Sequence, residues 1–201
     1  MQDSTIKCVN IGDTGVGKTC VLVSYTENEF PEEHVPTAFD NFTSIVEHKN
    51  NRYNVQLWDT SGQDNDSMRP ISYNGAHIFL IFFSLVDRKS FERVRDKWVK
   101  ELEETNHIDL PYIIVGNKLD LRDDQQVLKQ LGVTNPVTKK EGEEMAKKIG
   151  ALFYMECSAK TQTGLGEVFE AAVKAVVDED LKKTNDSIKK KKDKGGKCNK
   201  Q

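Results

Sequence analysis

The feature that most restricts this chain is the run Gly12-Asp13-Thr14-Gly15-Val16-Gly17-Lys18-Thr19, which fits the pattern G-x-x-x-x-G-K-[ST]. It lies between an apolar, strand-like stretch, Ile6–Ile11, and a helical pattern that begins at about Lys18. Glycines at these positions let successive backbone N–H groups turn inward on phosphate oxygens, and the helix N-terminus adds positive potential. Lys18 would reach the β- and γ-phosphates of a nucleotide, and the Thr19 hydroxyl would ligate Mg²⁺. The plain alternative is a glycine-rich turn that binds nothing; a strand before it and a helix after it argue against that.

Such a loop specifies phosphates but not the base. Asn117-Lys118-Leu119-Asp120 follows the apolar strand pattern Tyr112–Val115 and lies about 100 residues beyond the phosphate loop. A carboxylate at Asp120 can accept from guanine N1–H and from the exocyclic 2-amino group. Adenine offers neither donor and would leave the desolvated carboxylate unpaired. Guanine is therefore expected, and an ATPase or kinase is disfavoured.

Strand-like runs alternate with longer helical patterns along the rest of the chain, as in an α/β domain with a mostly parallel sheet. Phe42–His48 and Arg52–Trp58 read as a hairpin, and His77–Ser84 and Leu152–Cys157 as further strands. Helices are expected over about Lys89–Glu104, Lys139–Ile149 and the stripe Leu165–Val176, with a short one near Gln125–Leu131. Phe30–Asn41, with its two prolines, and Asp59–Pro70 read as loops. Six strands flanked by helices make up the expected fold.

Charge divides the chain. Residues 182–201 carry nine lysines against Asp186 and Asp193, a net charge of +7, which leaves −10 on residues 1–181 when the whole chain is −3. We expect a domain over 1–181 and a disordered basic tail over 182–201. A basic tail on an acidic body suits an anionic membrane surface and not nucleic acid. No secretory pattern opens the chain and no apolar run approaches the roughly 20 residues of a membrane span, so a cytosolic protein is expected. Four separated cysteines offer no metal knuckle, and Cys8 and Cys157 read as inert core residues.

Five segments in order resemble Ras-like GTPases: Gly12–Thr19, Thr37, Asp59-Thr60-Ser61-Gly62-Gln63, Asn117–Asp120 and Cys157-Ser158-Ala159-Lys160. The resemblance covers roughly residues 5 to 180 and implies the P-loop GTPase fold, with bound GTP or GDP and Mg²⁺. It places Asp13, Thr14, Gly15, Val16, Gly17, Lys18, Thr19 and Cys20 along the nucleotide and Phe30 on the guanine. Asn117 would brace the base loop, Lys118 and Lys160 would lie along the base, and Ser158 and the Ala159 amide would complete its pocket. Thr37 and the Gly62 amide would hold the γ-phosphate, Thr19 and Thr37 would ligate Mg²⁺, Asp59 would reach it through water, and Gln63 would orient the attacking water. Lys18, Thr37 and Gln63 are the expected catalytic set.

Val35–Phe42, Leu57-Trp58-Asp59, Phe91–Trp98 and Leu119–Asp124 resemble the Rho branch in particular, and the segment Asp123–Pro136 is similar to its insert helix. That likeness implies a monomer cycling between GTP and GDP and actin regulation, and slow intrinsic hydrolysis is expected because no arginine in the switch loops is obviously placed as a finger in cis. It also implies activating proteins, exchange factors, a dissociation inhibitor, and effectors that read the loops 30–42 and 59–70. Cys198, fourth from the end, matches a prenylation site except for the polar Asn199 and Lys200. The expected location is the cytoplasm and the cytosolic face of the plasma membrane.

Thr14 departs from the family, which carries glycine there. A branched side chain is expected to slow hydrolysis and to exclude an activator's arginine, a contribution of about 10³ to 10⁵ in rate. The alternative is that the loop relaxes around it, since Gly15 follows. A GTP-loaded binding module that signals without turnover is therefore the second reading. His34 replaces a tyrosine, the loop after Gln63 is one residue short, and Ser61 stands where alanine is usual.

Overall fold

The computed structural model describes residues 4–31, 39–64 and 66–178. Thr37, His34 and the tail with Cys198 lie outside the described residues. Six strands form one sheet in the order β2-β3-β1-β4-β5-β6. They are β1 (Ser4–Gly12), β2 (Phe39–His48), β3 (Asn51–Thr60), β4 (Ile78–Ser84), β5 (Tyr112–Asn117) and β6 (Phe153–Glu156). Only β2 runs antiparallel to its neighbour; β3, β1, β4, β5 and β6 are parallel. The six-stranded, mostly parallel sheet expected from the sequence is present.

Period-two alternation divides the strand residues between two cores. Ile6 and Cys8 of β1, Ile78, Leu80 and Phe82 of β4, and Ile113 and Val115 of β5 face one side. There they meet helix α1 (Lys18–Glu27) and helix α6 (Leu165–Val177). Val9, Ile11, Phe79, Ile81, Phe83 and Ile114 face the other side. Their cover is α2 (Arg88–Arg93), a π-helical stretch at Val94–Val99, α3 (Lys100–Glu104) and α5 (Lys139–Ile149). With both faces covered, every residue of β4 and of β5 is buried, which explains their unbroken apolar runs. Cys8 and Cys157 sit in this interior. Burial pushes both thiols up, Cys157 to about 12, so neither is a nucleophile at neutral pH.

Local chemistry sets the helix ends. The Asp87 carboxylate accepts from the Lys89 and Ser90 amides, and Asp124 caps the short α4 (Gln125–Leu131) in the same way. Helix α5 opens on a reciprocal box between Thr138 and Glu141 and closes on left-handed Gly150. Helices α1 and α6 start instead at the left-handed glycines Gly17 and Gly164 with no side-chain cap, and in α1 this leaves the first N–H groups at the phosphate loop.

Two expected boundaries are corrected. Strand β2 begins at Phe39 and not at Phe42, and β3 continues through Asp59 and Thr60, because the ladder extends to Phe39↔Thr60 and Asp40↔Asp59. Backbone pairing carries this extension, which needs no apolar side chains. The loop expected over 30–42 therefore yields residues 39–42 to strand. The loop expected over 59–70 begins at Ser61 and ends in a 3-10 turn, Arg69–Tyr73.

Glu141 also receives Arg88 Nη2 at 2.6 Å. Arg88 first, and then the Thr138 amide and hydroxyl, lower its pKa from 4.5 to about 2. A depressed carboxylate stabilises the fold above its unfolded value and loses that contribution as the pH falls through the folded one. In urea unfolding, the stability difference between wild type and Glu141→Gln should be constant above about pH 5. It should then shrink steadily as the pH falls from 4.5 towards 2.

Candidate functional site

Strand β1 lies between β3 and β4, so the connections leaving β1 and β3 diverge to opposite sides of the sheet. In such sheets the crevice at the carboxyl ends, where the order reverses, is where ligands bind. Gly12–Thr19 follows β1, Asp59 lies near the end of β3, Asn117 ends β5, and Ser158–Lys160 follows β6. The motifs among the described residues are thus gathered along one edge.

Buried Lys18 curls back over its own loop, donating from Nζ to the Gly12 carbonyl at 2.8 Å and to the Asp13 carbonyl at 3.2 Å. Burial lowers its pKa to about 8, against the opposing pull of Asp59 and Asp13. The Thr19 hydroxyl donates to Asp59 Oδ2 at 2.5 Å. A hydroxyl beside a carboxylate is hard-oxygen chemistry that fits Mg²⁺. That ion retains waters and takes phosphate oxygens, so it needs few protein donors. Among the described residues no cluster of three His, Cys, Asp or Glu could form a protein-only metal cage.

Asn117 joins three segments. Its Nδ2 donates to the Val16 carbonyl at 2.9 Å, and its Oδ1 accepts from the Ala159 amide at 3.3 Å. Lys118 Nζ reaches the Gly15 carbonyl at 2.7 Å, which ties the second motif to the phosphate loop. The Ser158 hydroxyl donates to Asp120 Oδ1 at 2.6 Å, and Ser158 Oγ in turn accepts from the Thr161 amide. That fixes one carboxylate oxygen of Asp120 and orients the other. Phe30, Lys160 and Gln63 are exposed at the margins of this edge. Cys20, on α1 beside Thr19, is half-buried, and burial raises its thiol pKa.

Gly62 packs directly on the phosphate loop: a β-carbon there would sit 2.2 Å from the Thr14 amide nitrogen and 2.4 Å from the Asp13 carbonyl carbon. No other residue fits that approach. The neighbouring Ser61 hydroxyl accepts from the Gln63 amide at 3.2 Å and shapes the turn leading to that residue. Thr14 itself is exposed.

A model of the Ras family matches residues 7–178 of this chain. The chain belongs to the Ras family. It is accordingly a small GTPase, which binds GTP and GDP, hydrolyses GTP, and works with activating proteins, exchange factors and effectors as the family in general does. The Ras-family motifs were legible, but three residues that hold them were not. Arg69 is buried and donates to the Ser61 carbonyl at 3.0 Å and the Gln63 carbonyl at 2.7 Å, while it pairs with Glu101. Arg93 and Trp98 both bond the Asp13 carboxylate. The only sequence signal was the run Phe91–Trp98, which marks likeness and says nothing of contact.

The Lys18 pKa has a measurable consequence. The ammonium is charged below about pH 8 and neutral above it, and only the charged form attracts phosphate. GDP binding should therefore take up a proton at alkaline pH, with affinity falling by up to about tenfold per unit above pH 8. Titration calorimetry in buffers of different ionisation enthalpy checks this. A Lys18→Arg variant, whose charge is permanent in that range, should bind without the proton uptake.

Proposed function

We propose that this Ras-family protein is a Rho-like switch in which nucleotide hydrolysis is slow and largely withheld from activators. The single observation that carries the reading is the contact of Gly62 against the Thr14 backbone, with the Thr14 side chain exposed at the same place. Gln63 follows Gly62 directly. A branched side chain at position 14 thus stands where an activator's arginine would enter, beside the residue that orients the water. The Rho-like runs Phe91–Trp98 and Leu57–Asp59 support the branch, since the first bonds the phosphate loop and the second supplies Asp59 and Trp58.

In this reading Lys18 and the uncapped first turn of α1 bind the phosphates. Asp120, oriented by Ser158, selects guanine, and the Ala159 amide, held by Asn117, meets the base oxygen. Thr19 and Thr37, with Asp59 through a water, would hold Mg²⁺, which would supply charge neutralisation on the phosphates. Thr37 and the Gly62 amide hold the γ-phosphate from two sides, and Gln63 places the water. Loss of the γ-phosphate releases both loops, which is the switching event. Arg69 is committed to the Ser61 and Gln63 carbonyls and to Glu101, so it is not an arginine finger in cis.

Effectors and exchange factors are proposed to read a cleft of about 560 Å³ between Lys7, Trp58 and Thr60 on the sheet and Met68, Arg69 and Ile71 beyond it. Met68 and Ile71 at its rim are 69% and 59% exposed and offer it apolar contacts. The basic tail and Cys198 are proposed to hold the domain at the cytosolic face of a membrane, where a dissociation inhibitor would act and from which actin would be regulated. The second reading, a GTP-loaded module that signals without turnover, is favoured by Thr14 alone.

Single-turnover GTP hydrolysis with Mg²⁺, with and without a Rho-type activating domain, tests the proposal. Wild type should hydrolyse slowly and respond to the activator by less than about tenfold, whereas Thr14→Gly should gain on the order of 10³ or more. An equal, strong acceleration of both proteins would show Thr14 to be tolerated and the timer to be intact. No turnover in either, with GTP tightly held, would favour the module.

A further inference from the structure

We propose that Arg93 is a positioning residue for hydrolysis: it ties the loop carrying Gln63 to the phosphate loop through two carboxylates at once. The inference rests on the GTPase reading above and gives Arg93 and Asp64 a role in it. Arg93 ends α2, immediately before the π-helical stretch Val94–Val99. Its Nε lies 2.8 Å from one Asp13 carboxylate oxygen and 3.0 Å from the other, and its Nη2 donates to the carboxylate of Asp64. Two further groups of the π-helical stretch complete the set. Trp98 Nε1 donates to Asp13 Oδ1 at 2.9 Å, and Lys97 Nζ donates to Asp64 Oδ1 at 2.7 Å while it sits over the Trp98 ring.

The two carboxylates are not equivalent. Asp13 is a residue of the phosphate loop itself, its side chain is 16% exposed, and two donors fix it. Asp64 directly follows Gln63 and its side chain is 64% exposed. The bridge therefore has a fixed root on the phosphate loop and a releasable end beside the water-orienting residue. The planar guanidinium holds its donors in a fixed fork, so Nε on Asp13 and Nη2 on Asp64 set the two carboxylates at a defined angle, which the rotatable donors of a lysine do not. From the other side Arg69 grips the Ser61 and Gln63 carbonyls. Gln63 thus has its own carbonyl held by Arg69 and the next residue held by Arg93. Any shift of the phosphate loop is passed to Gln63 through Asp13, Arg93 and Asp64.

Asp64→Ala, Arg93→Gln and the double variant test this in the full chain. Each single variant should slow single-turnover GTP hydrolysis roughly three- to tenfold, as expected for a displaced water-orienting group. The double variant should be no slower than the slower single, because all three remove one bridge. Release of labelled GDP should stay within about twofold of wild type, and amide hydrogen exchange over residues 61–64 should rise in every variant. Raising the salt should slow wild type towards the variants and leave the variants unchanged, since the Asp64 end is exposed and screened.

Unchanged hydrolysis in both single variants would overturn the proposal. So would slowing matched by an equal rise in GDP release, which would mark a merely structural contact. If wild type holds GTP without turning it over, the GTPase reading fails by itself and the exchange measurement decides the bridge alone. Raised exchange over 61–64 in the variants would uphold it, and unchanged exchange would sink it.

Discussion

Burying a parallel sheet on both faces leaves it one place for chemistry. Strands β4 and β5 have no exposed residue, and β1 between its neighbours is buried from Val9 to Gly12. Polar side chains are costly in that interior unless they are paired, so they collect where the strands end. Because all strands but β2 run the same way, those ends are carboxyl ends on one edge. Lys18, Asp59, Asn117 and Ser158 are all buried there, and each makes hydrogen bonds that its position on this edge provides.

The sequence was most legible where local chemistry alone decides. Helix α1 spans Lys18–Glu27 and α4 spans Gln125–Leu131, as their patterns imply, because a glycine-rich turn opens one and an aspartate caps the other. Thr138 and Glu141 mark the start of α5 just as clearly. Strand ends were less legible. Asp40 and Asn41 near the start of β2 and Asp59 and Thr60 at the end of β3 are polar, and only the partner strand makes them extended. The π-helical stretch inside Lys89–Glu104 left no trace in periodicity, since it alters the winding without altering which residues are apolar.

The candidate site divides in the same way. The phosphate loop and Asn117–Asp120 are contiguous motifs whose spacing encodes their geometry. Arg69, Arg93 and Trp98 are single residues whose partners lie 8, 80 and 85 positions away, and no local pattern distinguishes them from surface charge or core filler. Ser61 shows the reverse. Its identity looked arbitrary until the position of its hydroxyl against the Gln63 amide was known.

Asn117 has a consequence for the order in which the protein is made. Its amide joins the Val16 carbonyl, 101 positions earlier, to the Ala159 amide, 42 positions later. Closing loops of that length is slow, and chains are synthesised from the N-terminus. The phosphate loop leaves the ribosome complete in sequence by Thr19, yet its brace is not available until β5 is paired and Ala159 has followed β6. A nascent chain therefore carries its phosphate-binding motif for most of its synthesis without the means to hold it in shape. Nucleotide capture then becomes a late event, which by mass action draws a newly assembled sheet towards the folded state.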